Sequence, residues 1–162
     1  MLPLVGPRLR VRAWREEEAA VVMGLLGSAA TMGDMRAGRV HSDDEAARWL
    51  DGRLRQQREL GLTMWAVDNR ADDVFVGACG LFPQDTELEL AYIISHRHRG
   101  QRYASEAAGL VLDALDAAGI QMPVYAIIRP RNVASRRVAE VLGFRCTEER
   151  TDDRGVLLVY RR

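Results

Sequence analysis

No lysine occurs in the sequence; all 23 basic residues are arginine. Lysine catalysis is therefore excluded, and the bias reads as codon usage in a GC-rich genome more than as chemistry. Net charge is also missing, because 23 acidic residues balance the 23 basic ones and the pI is about 6.8. No global field draws the chain onto nucleic acid or an anionic membrane, so any polyanion must be met locally. Aromatic residues are not interleaved with the arginines, which argues further against a nucleic-acid binder. Cysteine is limited to Cys79 and Cys146, without metal-ligand spacing, and the opening residues lack a charged-then-apolar leader. A disulfide framework and secretion are not expected; a reducing cytoplasm is. No apolar run approaches the roughly 18 residues of a membrane span. Of the histidines, His41 stands alone, while His96 and His98 share a loop without a third ligand, so no metal is expected.

With 162 residues and 48% hydrophobic content, the chain suits one domain over 1–162 and one core, as monomer or homodimer. Arginine alternates with Leu9, Val11 and Ala13 over Pro7 to Trp14, the period of a half-buried strand. Glu16 to about Leu26 reads as a helix with acidic residues at its positive end. Gly27 to His41 has no clear period and reads as a loop with room for a short helical turn. Ser42 to Glu45 forms a capping box, behind which Ala46, Trp49, Leu50, Arg53 and Leu54 recur at helical spacing. That helix runs to about Leu60. Strands are predicted over Leu62–Val67, Val74–Phe82 and Glu87–Ile94 as an antiparallel meander. A helix follows from Gly100 to about Ala118, then a buried strand from Pro123 and a helix from Asn132 to Leu142 ended by Gly143. Arg145–Arg150 and Val156–Arg161 close the chain as a hairpin. The link from Ile94 through a helix to Val124 predicts a crossover between parallel strands.

The turn SHRHRGQRYASEA, Ser95 to Ala107, joins that strand to that helix. A helix N-terminus exposes unpaired amides and a positive dipole end, so a basic turn feeding it suits phosphate. Gly100 lets backbone approach a ligand, the amides of Gln101, Arg102, Tyr103 and Ala104 can point at a pyrophosphate, and Arg97, Arg99 and Arg102 add charge. It is neither a Walker loop nor a dinucleotide fingerprint. About thirty residues on, NVASRRVAEVLGF (Asn132 to Phe144) is consistent with an ordinary capped helix.

Together these segments resemble the acetyl-CoA-binding elements of the GNAT superfamily of N-acetyltransferases, in the branch similar to the ribosomal-protein N-acetyltransferases RimJ and RimL. The loop there reads Gln/Arg-x-x-Gly-x-Gly/Ala, matched by Arg97 and Gly100 and followed by Tyr103, Ala104, Glu106 and Ala107. The later helix reads Asn-x-x-Ser-x-x-Val-x-Glu-x-x-Gly-Phe, matched by Asn132, Ser135, Val138, Glu140, Gly143 and Phe144. RLRVRAWREEEA, MWAV, VGACGLF and ELAY match in the same order, so the resemblance covers the whole chain. Arg102 departs from it, standing at the second small residue of the loop. If the backbone is already helical there, its side chain leaves the groove and offers its guanidinium to phosphate.

The resemblance implies an α/β (α+β) fold: a mixed, strongly bent sheet of about seven strands with four helices, and acetyl-CoA as co-substrate. It places the pantetheine arm along Tyr92, Ile93 and Ile94, whose amides would polarise the thioester carbonyl, and the phosphates on Arg97 to Ser105. Glu89 matches the family's base, Ser135 the position near the sulfur that suits a general acid, and Asn132 the residue on the pantetheine amides. From spacing alone, Glu87 and Glu89 equally fit a solvated outer strand, Ser135 a serine bonded back to a helix carbonyl, and Cys79 a core residue. The expected activity is direct acetyl transfer to a primary amine. A protein N-terminal α-amine, antibiotics, amino acids and polyamines are the acceptor alternatives, and an acyl-CoA sensor without turnover the non-enzymatic one.

Overall fold

The computed structural model of the chain describes residues 2–36 and 38–162. The described residues form β1 (Leu4–Val5), β2 (Leu9–Arg12), α1 (Ala19–Leu26), α2 (Ala29–Met32), α3 (Asp43–Glu59), β3 (Met64–Asn69), β4 (Phe75–Gln84), β5 (Glu87–Ile94), α4 (Tyr103–Ala117), β6 (Val124–Ile128), α5 (Val133–Val141), β7 (Arg145–Asp152) and β8 (Gly155–Arg161). One eight-stranded sheet runs in the order β1-β2-β3-β4-β5-β6-β8-β7. All neighbours are antiparallel except β5 and β6, which are parallel and joined through α4. No helix among the described residues is long and apolar enough to cross a membrane.

Helices cover both faces of the central strands, which is why β3 and β4 read as nearly continuous apolar runs. On one face α4 packs Tyr103, Ala107, Ala108, Val111 and Leu115 against Leu9, Trp65, Leu81, Leu88 and Leu90. On the other, α1 and α3 bury Val22, Leu25, Leu26, Leu50 and Leu54 against Ala66, Ala78 and Ile93. The capping box of α3 forms as expected, the Ser42 hydroxyl accepting from the Glu45 amide and the Glu45 carboxylate from the Ser42 amide.

The sheet departs from the expectation of seven strands and four helices at its margins. The two-residue β1 has too few residues to show a period, and α2 lies in the aperiodic stretch. β3 runs to Asn69 instead of stopping at Val67, because Asp68 is only 3% exposed and takes Arg12 Nε at 2.5 Å. Arg12 also binds Glu18, so Glu18 serves an ion pair beneath α1 where the sequence suggested a helix-dipole partner. A 3-10 turn at Glu16–Glu18 precedes that helix.

The crossover matters most for function. Pairing between β5 and β6 holds only at Leu88–Val124 and Glu89–Tyr125, after which β5 continues to Ile94 along β4 and β6 to Ile128 along β8 without pairing to each other. Two parallel strands that part in mid-sheet leave backbone groups facing a gap.

Candidate active site

The gap's chemistry follows from the period of β5. The Ser95 amide bonds Val76 on β4, whereas the Leu88 amide bonds Pro123 on the β6 side. Odd-numbered amides of β5 are therefore spent on β4 and even-numbered ones face β6. Beyond the last paired residues this leaves the amides of Tyr92 and Ile94 pointing into the gap. Ile93, expected to contribute its amide, turns it to Ala78 instead, its register partner on β4. Gly77 allows the close approach of β4 at this point, since a Cβ there would fall 2.1 Å from the Ile93 carbonyl oxygen.

The basic turn leaves the end of β5. His96–His98 form one 3-10 turn, and α4 begins at Tyr103 rather than Gly100. Gly100 and Arg102 both take left-handed backbone, with φ of +78° and +62°. Arg102 is thus not helical, contrary to the condition set for it, and makes no ion pair among the described residues. The six amides from Gly100 to Ser105 donate no hydrogen bond to the described residues. Left-handed turns that gather amides before a helix N-terminus make an anion-binding concavity, so the residues present fit a pyrophosphate. Arg97 is exposed beside it and without an ion pair among the described residues. Arg99 instead donates to the Thr31 carbonyl at 2.6 Å and lies 3.6 Å from Asp34, so it is committed to α2.

Glu106, in the first turn of α4, holds the turn to the sheet. Its carboxylate accepts from the amides of Arg8 and Leu9 at 2.8 and 3.0 Å and from Arg8 Nε at 2.8 Å. Arg8 in turn donates to the Gln101 carbonyl and stacks over the Tyr103 ring.

A cavity of about 420 Å³ opens on the opposite face of the gap, between β5, β6, α3 and the segment after α2. Glu89 lines it with its side chain 12% exposed, and Oε1 receives Arg36 Nη1 at 2.8 Å. β5 is central rather than an outer strand, so this carboxylate is largely withdrawn from solvent. Glu87, at the start of β5, pairs with Arg161 at the end of β8, outside the cavity lining. Ser135 also lines the cavity. Its amide is capped by Asn132 Oδ1 at 3.0 Å and its carbonyl accepts from the Tyr92 hydroxyl at 3.0 Å, while Oγ has no hydrogen bond among the described residues. Burial pushes the Tyr92 phenol well above its ordinary value, which keeps it a donor. Asn132 donates its amide to the Asp34 carbonyl, so both ends of this side chain are engaged within the protein. Buried Cys79 lies on the far face, and burial raises its thiol far above the ordinary range.

The aperiodic segment concealed much of this site. Its carbonyls at Thr31, Gly33, Asp34 and Arg36 accept from Arg99, Arg131, Asn132 and Arg129, respectively. Those partners come from both arms of the gap, so the segment straps across them. Arg129 is 5% exposed and also binds Asp152 at 2.7 Å. No local pattern announces a strap tied across the gap by long-range side-chain bonds; the cluster RPRN at Arg129–Asn132, after a buried strand, was the available signal.

Comparison with known proteins places this geometry. The family profile described as "Acetyltransferase (GNAT) domain" matches residues 8–145. An uncharacterized protein, YkkB, from Bacillus subtilis strain 168 is 31% identical over 144 residues, covering 86% of this chain and 83% of its own. The fold superposes on a putative GNAT-family acetyltransferase from Bordetella pertussis with a TM-score of 0.85 at 20% identity, over 100% of this chain and 99% of that one. It superposes also on RimL, described as a ribosomal L7/L12 alpha-N-protein acetyltransferase in complex with coenzyme A, with a TM-score of 0.83 at 17% identity over 98% and 95% of the two chains. With a profile match spanning most of its length and a relative 31% identical over 86% of it, the chain belongs to the GNAT family of acetyltransferases.

Proposed function

We propose that the protein moves an acetyl group from acetyl-CoA directly to a primary amine, and that the acceptor is an α-amine of the kind found at a protein N-terminus. One observation carries the reading: the cavity holding Glu89 and Ser135 opens onto the same gap into which the Tyr92 and Ile94 amides point. The amides of Gly100 to Ser105 hold the pyrophosphate, and Tyr92 and Ile94 offer N–H groups to the carbonyl oxygen as it gains negative charge. Glu89 takes the ammonium proton at Oε2, which has no partner among the described residues. The neutral nitrogen then bonds to the acetyl carbon as the carbon–sulfur bond breaks, and it loses its surplus proton to water. Ser135 Oγ gives its proton to the departing thiolate and recovers one from water.

Amine acidity supports the acceptor class. At pH 7 an α-amine of pKa about 7.8 is roughly one-seventh neutral, whereas a lysine amine of pKa about 10.4 is neutral about once in 2,500 molecules. A single carboxylate held by an arginine suits the easier deprotonation. The structural neighbour RimL, named for α-N-acetylation of a protein, supports the same choice. The test is CoA release from acetyl-CoA with a panel of N-terminal peptides, Nα-blocked lysine peptides, an aminoglycoside and spermidine, with the product's mass gain read for one acetyl group. Turnover of free N-termini above the rest is expected; turnover confined to lysine side chains or polyamines overturns the acceptor class.

A further inference from the structure

Three arginines line the cavity, Arg36, Arg53 and Arg129, against one carboxylate, Glu89. Arg36 takes Glu89, and Arg129 takes Asp152. Arg53 has no acid among the described residues. Its neighbours one turn away on α3 are Trp49, Leu50, Gln56 and Gln57, so the helix supplies no countercharge. Its guanidinium lies over the rings of Trp49 and Phe82, 5.2 and 4.6 Å from their centres. Nε is buried without a hydrogen-bond partner, and neither terminal nitrogen bonds any described residue. His41 lines the same cavity with a buried, unpartnered Nδ1.

A half-buried cation without an acid partner is costly, and two aromatic faces recover only part of that cost. Burial accordingly holds the Arg53 guanidinium below its ordinary value. A fork of donors kept apart from any acid, in a cavity that admits the acceptor, is matched by a carboxylate, which guanidinium binds in bidentate fashion. Position fixes where that carboxylate sits on the acceptor. Phe82 is the register partner of Glu89 across β4 and β5, and facing residues share one side of a sheet. Arg53 rests on that ring. An amine at Glu89 therefore brings its neighbouring atoms to Arg53 within one or two residues, each about 3.5 Å long when extended.

We infer that the acceptor is an amine bearing a carboxylate within one or two residues, and that Arg53, in the cavity that His41 also lines, receives that carboxylate. The inference rests on the acetyl-transfer reading above. Two sources carry this chemistry, an acidic second residue of a peptide and the α-carboxylate of a free amino acid. The probes are C-terminally amidated pentapeptides beginning Ser-Glu, Ser-Gln and Ser-Lys, together with free serine and serinamide. Initial rates at limiting acceptor give kcat/KM for each, with the parent, Arg53→Gln and Arg53→Glu.

The parent is expected to favour Ser-Glu over Ser-Gln, or free serine over serinamide, by at least about 10-fold, the loss of one charge-assisted pair. Which of the two it favours identifies the source. Arg53→Gln should bring the acidic and neutral acceptors within about threefold of each other, and Arg53→Glu should turn the preference toward Ser-Lys. The acetyl-CoA-induced rise in Tm should persist in both variants, showing that the fold and the donor site survive. A parent without charge preference, or a preference untouched by Arg53→Gln, overturns the inference and leaves acetyl transfer standing. Failure of every probe while acetyl-CoA raises Tm overturns the α-amine transfer reading and the inference with it.

Discussion

Replacing Gly100 by alanine and by glutamate separates the loop's backbone geometry from its charge. Gly100 has φ of +78°, and a Cβ built there meets no atom within 4 Å. Alanine is therefore strained by its backbone alone, at about 1 kcal/mol, which lowers the Tm of a domain of this size by about 2–4 °C. Glutamate carries the same strain and sets a carboxylate beside the phosphates. Like charges about 4 Å apart repel by about 4 kcal/mol at an effective dielectric constant of about 20, roughly a thousandfold in affinity. Acetyl-CoA at about 100 times its Kd adds about 2.7 kcal/mol to parent stability, a rise in Tm of about 5–11 °C. For the glutamate variant that concentration is about a tenth of Kd and adds less than about 0.1 kcal/mol. Thermal unfolding with and without acetyl-CoA reads both effects. Gly100→Ala should melt lower yet keep a ligand shift, and Gly100→Glu should melt lower and lose it. A glutamate variant that shifts as the parent does refutes phosphate binding on these amides.

Ser135→Ala should lower kcat about 10- to 100-fold with little change in acetyl-CoA affinity, since a thiol of pKa near 8.5 is a tolerable leaving group; a parental kcat with acetyl transfer shown to be rate-limiting removes its role as acid. Glu106→Ala strips the carboxylate from two backbone amides, that of fully buried Leu9 among them, and should lose about 3 kcal/mol in urea unfolding; a loss under about 1 kcal/mol shows that the clamp is replaceable. For Glu18, burial would raise the carboxyl, but hydrogen bonds from Arg12 and the Arg15 amide outweigh it and hold it below the ordinary value. Its stabilisation is complete above the unfolded value, about 4.3, and is lost as pH falls through the lower folded value. Glu18→Gln should thus be less stable at neutral pH and lose less stability on acidification below about pH 4.3; an unchanged acid slope shows that other carboxylates set it.

The donor half of the site was legible because its signals are local. A strand, a glycine that must take positive φ and a helix start lie in one run of sequence, and the Asn132 cap lies in another. Legibility ended where geometry depends on partners far along the chain. The four residues of α2 and the strap behind it are held by Arg99, Arg129, Arg131 and Asn132, so the segment needs no periodicity of its own and shows none. Arg36 was invisible for that reason. Which β5 amides face the gap depends on pairing with β4, and only the register separates Ile93 from its neighbours. Arg53 was half legible. It stood in the apolar stripe of α3 between Trp49 and Leu54, and a charge in such a stripe signals either stacking or a ligand; the structure shows the stacking.

The most direct measurement is the pH dependence of kcat/KM for Glu89→Gln against the parent, with an acetylated N-terminal peptide as product. Near pH 7 the variant should be about 100-fold slower or more, with acetyl-CoA binding nearly unchanged. The deficit should shrink as pH passes the acceptor's own pKa, near 7.8, because the amine then arrives neutral without help. A deficit that is the same at every pH, or no deficit at all, contradicts Glu89 as the base.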